Sequence, residues 1–294
     1  MTAVPRRRHA LVSRGAAALS LLLCAAALHS ALPVPAAAAA ADGFSFSGPF
    51  VQGGLVRGRA PPATASLTLD GKPVRLDGDG RFILGFDRDQ GSSATLVAQR
   101  ADGSRATKTL AIAARSWRIE HVDVARRPSG ADPDYQRRRA IELRRIAAPR
   151  RIDASAAGWA QAFVWPARGR ISGLFGSQRV YRGEPAAFHS GLDIAPGAGA
   201  AVVAPAEGVV VLAGPPMFSL EGNLVIIDHG MGLNSAFLHL ATVDVRTGQR
   251  VAQGERIGTV GATGRATGPH LHWSVKWNDA RLDPQAMVAA PPSS

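Results

Sequence analysis

The sequence predicts a mainly β protein. A small N-terminal β-sandwich is followed by a short connecting helix and then by a larger, strand-rich C-terminal domain. Three observations carry this expectation. The 294 residues include 32 glycines and 20 prolines, which favours short elements joined by turns over long helices. Apolar and polar residues alternate with period two in runs such as Ser66-Leu67-Thr68-Leu69 and Ala94-Thr95-Leu96-Val97-Ala98, the pattern of half-buried strands. A Gly- and Pro-free stretch with a capping signal before it, Tyr135 to Ala148, interrupts the strand-like pattern.

In chain order, residues 1–41 stand apart. Arg6, Arg7, Arg8 and Arg14 precede an apolar run from Gly15 to Leu28, and a small-residue stretch from Pro33 to Ala41 follows. This three-part pattern predicts an export signal, and with it a periplasmic or cell-envelope location. Residues 42–115 read as the sandwich, with turn signals at Asp70-Gly71, Asp77-Gly78-Asp79-Gly80 and Asp102-Gly103. Residues 116–159 read as a basic helical linker. Asp132 is placed as the N-cap and Pro133 at the first helical position. Pro149 stops the helix, Ile141, Leu143 and Ile146 supply modest apolar surface, and Arg137, Arg138, Arg139, Arg144 and Arg145 decorate it. Residues 160–285 return to strands; the apolar run Leu224-Val225-Ile226-Ile227 predicts a strand covered on both faces. Residues 286–294, rich in Ala, Pro and Ser, are expected to form a flexible tail.

Composition narrows the functional classes. Cys24 is the only cysteine and lies inside the apolar run of the signal, so the exported chain is expected to hold no disulfide. The formal net charge is +12; removing the four arginines of the signal leaves +8. A basic exported protein suits anionic envelope polymers as partners. No nucleic-acid motif accompanies the charge. No apolar stretch long enough to span a membrane follows the signal.

Eight histidines are present, and five of them, His189, His229, His239, His270 and His272, fall within 84 residues. In a strand reading of His270-Leu271-His272-Trp273-Ser274-Val275-Lys276-Trp277, one face carries His, His, Ser and Lys and the other carries Leu, Trp, Val and Trp. The two imidazoles then stand about 7 Å apart at the backbone and can converge on one centre. In His189-Ser190-Gly191-Leu192-Asp193, an extended chain would hold the outer residues about 13 Å apart, and Gly191 disfavours a helix, which leaves a tight turn. With one further His this pair would make three protein ligands and leave a fourth tetrahedral position for water, the catalytic pattern. Period two places Ser235, Phe237 and His239 on one face of another strand. His229, before Gly230, reads as structural.

These motifs closely resemble the lysostaphin-type, or LytM-family, zinc endopeptidases. The matching pieces are His189-Ser190-Gly191-Leu192-Asp193, the stretch from Asn223 through Phe237-Leu238-His239-Leu240, and Gly268-Pro269-His270-Leu271-His272, with Phe163-Val164-Trp165-Pro166 to Leu174-Phe175-Gly176 as the lead-in. The resemblance covers about residues 163–285 and implies that this domain is an antiparallel β-sheet with a groove. It implies a Zn2+ cofactor held by His189, Asp193 and His272, with His239 and His270 as the catalytic histidines. It also implies hydrolysis of the peptide cross-bridges of bacterial peptidoglycan. The family commonly carries Tyr where this chain has Phe237, which implies a hydroxyl lost at the edge of the site. Tyr181 is a candidate to supply a phenol to the cleft.

Three other readings weigh less. Some relatives of this kind have lost zinc ligands and activate other wall hydrolases, whereas all five positions are intact here. A biotinyl or lipoyl carrier needs a modified lysine at a turn, and no Lys lies between 109 and 275. The Gly261–Gly268 stretch lacks the Gly-Lys-Ser/Thr ending of a phosphate-binding loop, and reads instead as a turn that brings His270 to the cleft. The His-Glu-x-x-His helix of other zinc peptidases is absent.

Overall fold

The computed structural model describes residues 43–125 and 132–289. The expected export signal lies outside the described residues. Among the described residues no helix is long and apolar enough to cross a membrane.

Seven strands form the first part: β1 (Ser45–Ser47), β2 (Leu55–Arg59), β3 (Thr64–Leu69), β4 (Lys72–Val74), β5 (Arg81–Gly85), β6 (Ser93–Arg100) and β7 (Arg105–Ala111). They make two antiparallel sheets, ordered β1-β2-β5 and β4-β3-β6-β7. Their inward residues, Val56, Phe82, Leu84 and Leu96 among them, belong to one core. The Asp-Gly signals form the turns they predict. Asp70 and Gly71 both take positive φ between β3 and β4, as a tight hairpin requires. The Asp77 carboxylate accepts the N–H groups of Asp79 and Arg81 at 3.0 and 2.7 Å.

The connecting segment contributes a strand that its sequence does not advertise. β8 (Ile119–Val122) runs parallel to β10 (Gln178–Tyr181), and β11 (Glu184–Pro185) completes that small sheet. The helix follows as α1 (Pro133–Ala147), capped by Asp132, whose side chain accepts from the Asp134 N–H. Its inward side is polar. Ile141 and Leu143 are about half exposed, while the buried Glu142 accepts the Ser219 N–H and hydroxyl at 2.8 and 2.6 Å. Arg139 forks onto Glu221 at 2.7 and 2.6 Å. Only Ile146 adds apolar contact, against a cluster of Val211, Phe218, Leu224, Ile226 and Ala236. The helix therefore docks through charge and hydrogen bonds rather than through the apolar surface expected of it.

The remaining strands are β9 (Arg170–Gly173), β12 (Leu192–Ala195), β13 (Ala201–Val203), β14 (Gly208–Leu212), β15 (Asn223–Asp228), β16 (Leu233–Val243), β17 (Arg250–Val251), β18 (Arg256–Val260), β19 (Leu271–Trp277) and β20 (Ala280–Leu282). They form one ten-stranded antiparallel sheet whose main path is β17-β14-β15-β16-β19-β12-β9. The run Leu224–Ile227 lies inside β15 and is fully covered, as predicted. β19 presents Leu271, Trp273, Val275 and Trp277 to the core, which confirms the face reading. Past residue 285 the chain still packs back: Val288 bridges Phe163, and Trp165 Nε1 donates to the Ala289 carbonyl at 3.0 Å.

Candidate metal centre and cleft

β12 and β19 are adjacent antiparallel strands, with Asp193 opposite His272. Residues opposed across such a pair share a face, so the carboxylate and the imidazole meet. His189 joins them from the loop before β12. Its Nε2 lies 3.0 Å from Asp193 Oδ1 and 3.0 Å from His272 Nδ1, and the last two atoms are 2.9 Å apart. The close approach needs Gly191, where a Cβ would stand 2.6 Å from His272 Nε2. Among the described residues this trio is the group of His, Cys, Asp and Glu that could hold a metal ion.

The donor chemistry fits a zinc ion. His189 Nδ1 donates to the Leu174 carbonyl, 3.0 Å away, so the neutral ring turns a lone pair on Nε2 toward the trio. Two imidazole nitrogens and a carboxylate oxygen converge on one point, where shared protons or a bound cation must hold them together. Ligand atoms about 2 Å from a shared tetrahedral centre stand roughly 3.3 Å apart, close to the spacings found here. Burial works against the Asp193 charge, but hydrogen bonds from His189 and His272 outweigh it and hold the carboxyl far below the usual range. Burial also opposes charge on His189, which the Asp193 hydrogen bond and charge more than offset, raising its pKa. For His272 burial prevails and lowers it.

The other two histidines sit beside this trio. The ring centres of His239 and His270 are 4.9 Å apart, and His239 lies 6.3 Å from His272. Both are anchored in the same way: Nδ1 of His239 donates to the Thr263 carbonyl and Nδ1 of His270 to the Gly268 carbonyl, each at 2.8 Å. Each neutral ring is left with a free lone pair on Nε2. Burial pushes the His239 pKa down, and the charges of His270 and His272 push the same way. His270 Nε2 stands 3.8 Å from Asp193 Oδ1, beyond hydrogen-bond reach.

Two sequence readings need correction here. Ser235, Phe237 and His239 do not share a face. Phe237 pairs with Trp273 and Ser235 with Val275 on the core side, whereas Leu238 pairs with His272 on the cleft side. The ladder shifts register across Leu238 and His239 opposite Leu224, and His239 takes a φ of 63°. A bulge of this kind reverses the parity of the strand and re-aims one side chain; here it brings His239 to the metal face. For the same reason Phe237 is fully buried and is not at the edge of the site. The bulge is fixed by the His239 N–H, which donates to the Glu221 carbonyl at 2.9 Å.

The Gly261–Gly268 turn acts as expected. Gly261 bridges His270, and its Thr263 supplies the carbonyl that holds His239. His229 is structural in its contacts: its Nδ1 donates to the Glu207 carbonyl, and its Nε2 faces Ser235 Oγ at 2.9 Å. Sequence reading missed the carbonyls of Leu174, Thr263 and Gly268, because a backbone acceptor leaves no trace in residue identity. Beside His189 and Asp193 opens a cleft of about 830 Å3, walled by Arg118 just before β8 and Glu120 within it, by Gln178, Arg179 and Tyr181 of β10, and by Phe188. Tyr181 therefore lines the cleft.

Residues 187–284 match the family model for peptidase family M23. The chain is 38% identical over 116 residues to the peptidoglycan DD-endopeptidase ShyA of Vibrio cholerae, covering 39% of this chain and 26% of that protein. It is 35% identical over 123 residues to the murein hydrolase activator NlpD of Salmonella dublin, covering 42% of this chain and 30% of that one. The chain thus spans about a quarter of the length of the curated relatives it matches. A solved M23-type structure from Pseudomonas aeruginosa covers 82% of this chain and 95% of its own, at 30% identity and a TM-score of 0.62.

Proposed function

The chain belongs to peptidase family M23, and from that premise we propose that it is a zinc-dependent endopeptidase hydrolysing the peptide cross-links of bacterial peptidoglycan. The observation that carries the reading is the convergence of His189 Nε2, Asp193 Oδ1 and His272 Nδ1 within about 3 Å of one another, with two further imidazoles alongside. The three would hold the metal. What zinc supplies when bound is Lewis acidity toward a scissile carbonyl and a more acidic water.

The protein's own groups do the rest. His239 and His270 keep Nε2 free because Nδ1 is committed to a carbonyl. A neutral imidazole so held accepts the proton of the attacking water, and the resulting imidazolium returns it to the departing amine. The second ring hydrogen-bonds the developing oxyanion, a contribution of about 3 kcal/mol where such a group has been removed elsewhere. Burial lowers the His239 pKa from its ordinary value, which favours the neutral, proton-accepting ring. The cleft beside His189 takes the peptide. Residues 1–41 act as the export signal, which puts the enzyme in the periplasm or envelope, and the excess of Arg favours contact with anionic envelope polymers there.

His272→Ala is expected to lose zinc. His270→Ala is expected to keep zinc and lose turnover by about 100-fold or more. Metal content and muropeptide release from purified sacculi, with and without chelator, test both. The similarity to NlpD supports a second reading, a non-catalytic activator of other wall hydrolases. Absence of muropeptide release by the zinc-loaded protein, with stimulation of a separate hydrolase, would favour it.

A further inference from the structure

Arg88 belongs to the loop after β5, in the N-terminal part of the chain, yet its contacts lie around the metal centre. We infer that Arg88 is a positioning residue for the zinc ligand His189, and that the N-terminal strands are thereby a working part of the metal site. The inference rests on the reading of His189 as a ligand.

The guanidinium is buried, at 7% exposure, a costly placement for a charge unless its donors are used. All three nitrogens are used. Nε donates to the Gly176 carbonyl at 3.1 Å, Nη2 to Gln178 Oε1 at 3.0 Å and Nη1 to Asp89 at 2.6 Å. Two of those three bonds end on the 174–178 segment, the loop and first residue of β10 that hold His189. The Leu174 carbonyl takes the His189 Nδ1 proton at 3.0 Å. The Gly176 N–H donates to the His189 carbonyl, and the His189 N–H to the Ser177 carbonyl, each at 2.8 Å. Ligand and loop are thus laced together, and Arg88 fixes the loop from behind.

A second contact reaches the residue next to the ligand. The Arg88 guanidinium lies 4.6 Å from the Phe188 ring centre, and Arg281 of β20 lies 4.2 Å from it. Arg281 is itself held by Asp87, the neighbour of Arg88, at 3.0 Å from each carboxylate oxygen. Phe188 therefore touches two arginines, each of worth to an aromatic ring and both anchored through the 87–88 dipeptide. Rotation of His189 away from the trio would require this ring and the loop to move together.

Groups that orient a ligand are worth about tenfold or more in metal affinity. Zinc dissociation constants of the full chain, measured by competition with a chromophoric chelator, test the inference. Arg88→Ala and Phe188→Leu are each expected to weaken zinc binding about tenfold. Arg57→Ala serves as the control. Arg57 also reaches from the N-terminal strands to carbonyls of the later part, those of Trp159 and Gln161 at 3.2 and 2.7 Å, but not to the 174–178 loop. It is expected to lower the melting temperature of the zinc-free protein and leave zinc affinity unchanged. Unchanged affinity in both Arg88→Ala and Phe188→Leu overturns the inference. So does an equal loss in Arg57→Ala, which would mean general loosening. If Arg88→Ala does not fold, Phe188→Leu against Arg57→Ala decides. Failure of the unmodified chain to bind zinc would overturn the ligand reading itself, and the inference with it.

Discussion

His229 shows how far burial can set a side chain's chemistry. It is 0% exposed, with both ring nitrogens engaged by Glu207 and Ser235, and burial pushes its pKa down to about 4 against an ordinary 6.5. The folded protein therefore keeps this imidazole neutral where the unfolded chain protonates it. Its stabilising contribution is complete above pH 6.5 and is lost as pH falls toward 4. The gap of about 2.5 pKa units corresponds to about 3 kcal/mol. His229→Gln removes the titrating group. Urea unfolding from pH 7 to pH 4 is expected to give a shallower fall in stability for the variant than for the parent, and identical slopes would refute the account. The sequence reads His229 as structural because it ends a strand before Gly230, and its buried contacts agree with that reading. It also singles out His189, Asp193, His239, His270 and His272, which the fold brings side by side. It could not reveal the left-handed backbone of His239, because period two carries no sign of a bulge and the Glu221 carbonyl that stabilises it is defined only by the fold.

The helix and the 216–222 segment form one element in energetic terms. The Arg139 and Glu221 side chains are only 16% and 12% exposed, so loss of Arg139 would leave the Glu221 charge in a poorly solvated place without its hydrogen-bonded partner. Burial opposes charge on Arg139, but its bonds to Glu221 and Glu142 outweigh that and raise its pKa. Breaking such a pair from one side costs about 3 kcal/mol. Since the Glu221 carbonyl holds the bulge at His239, Arg139→Met is also expected to reduce turnover about tenfold while leaving zinc content unchanged. Urea unfolding, metal content and muropeptide release check the three parts separately. The cap at Asp132 and the stop at Pro149 made this helix legible, within one residue at each end. Its role was not, because a polar docking face looks in sequence like a solvated one. β8 was invisible for a related reason: a four-residue strand whose only named partner is β10, some 59 residues later, has no local pattern to announce it.

At the scale of the whole chain, composition changes near residues 115 and 160 suggested separate pieces, whereas the described residues from 43 to 289 cluster as one unit in space. One hydrophobic core runs from Val56 and Phe82 through to Trp273 and Leu282. Polar ties cross the same boundary: Asp87 to Arg281, Arg115 to Asp283, and the Asp283 N–H to the Gly53 carbonyl at 2.8 Å. Contacts between residues so distant in sequence lie beyond any reading of periodicity. Where burial is continuous, the parts lose their packing together, so calorimetry is expected to show one unfolding transition whose van't Hoff and calorimetric enthalpies agree. The two parts approach closely at Gly85 of β5, where a Cβ would lie 2.8 Å from Trp277 Cβ and 3.0 Å from Leu282 Cδ2. Gly85→Val forces β5 away from β19 and β20, at a cost of about 1–3 kcal/mol for overpacking. Because that strain falls between the parts rather than within either, the variant should unfold in two resolved steps, the C-terminal sheet outlasting the N-terminal strands when zinc is present. Two transitions in the unmodified protein would show that the shared core does not couple them. A single, merely lowered transition in Gly85→Val would place the coupling in the Asp87–Arg281 and Arg115–Asp283 pairs instead.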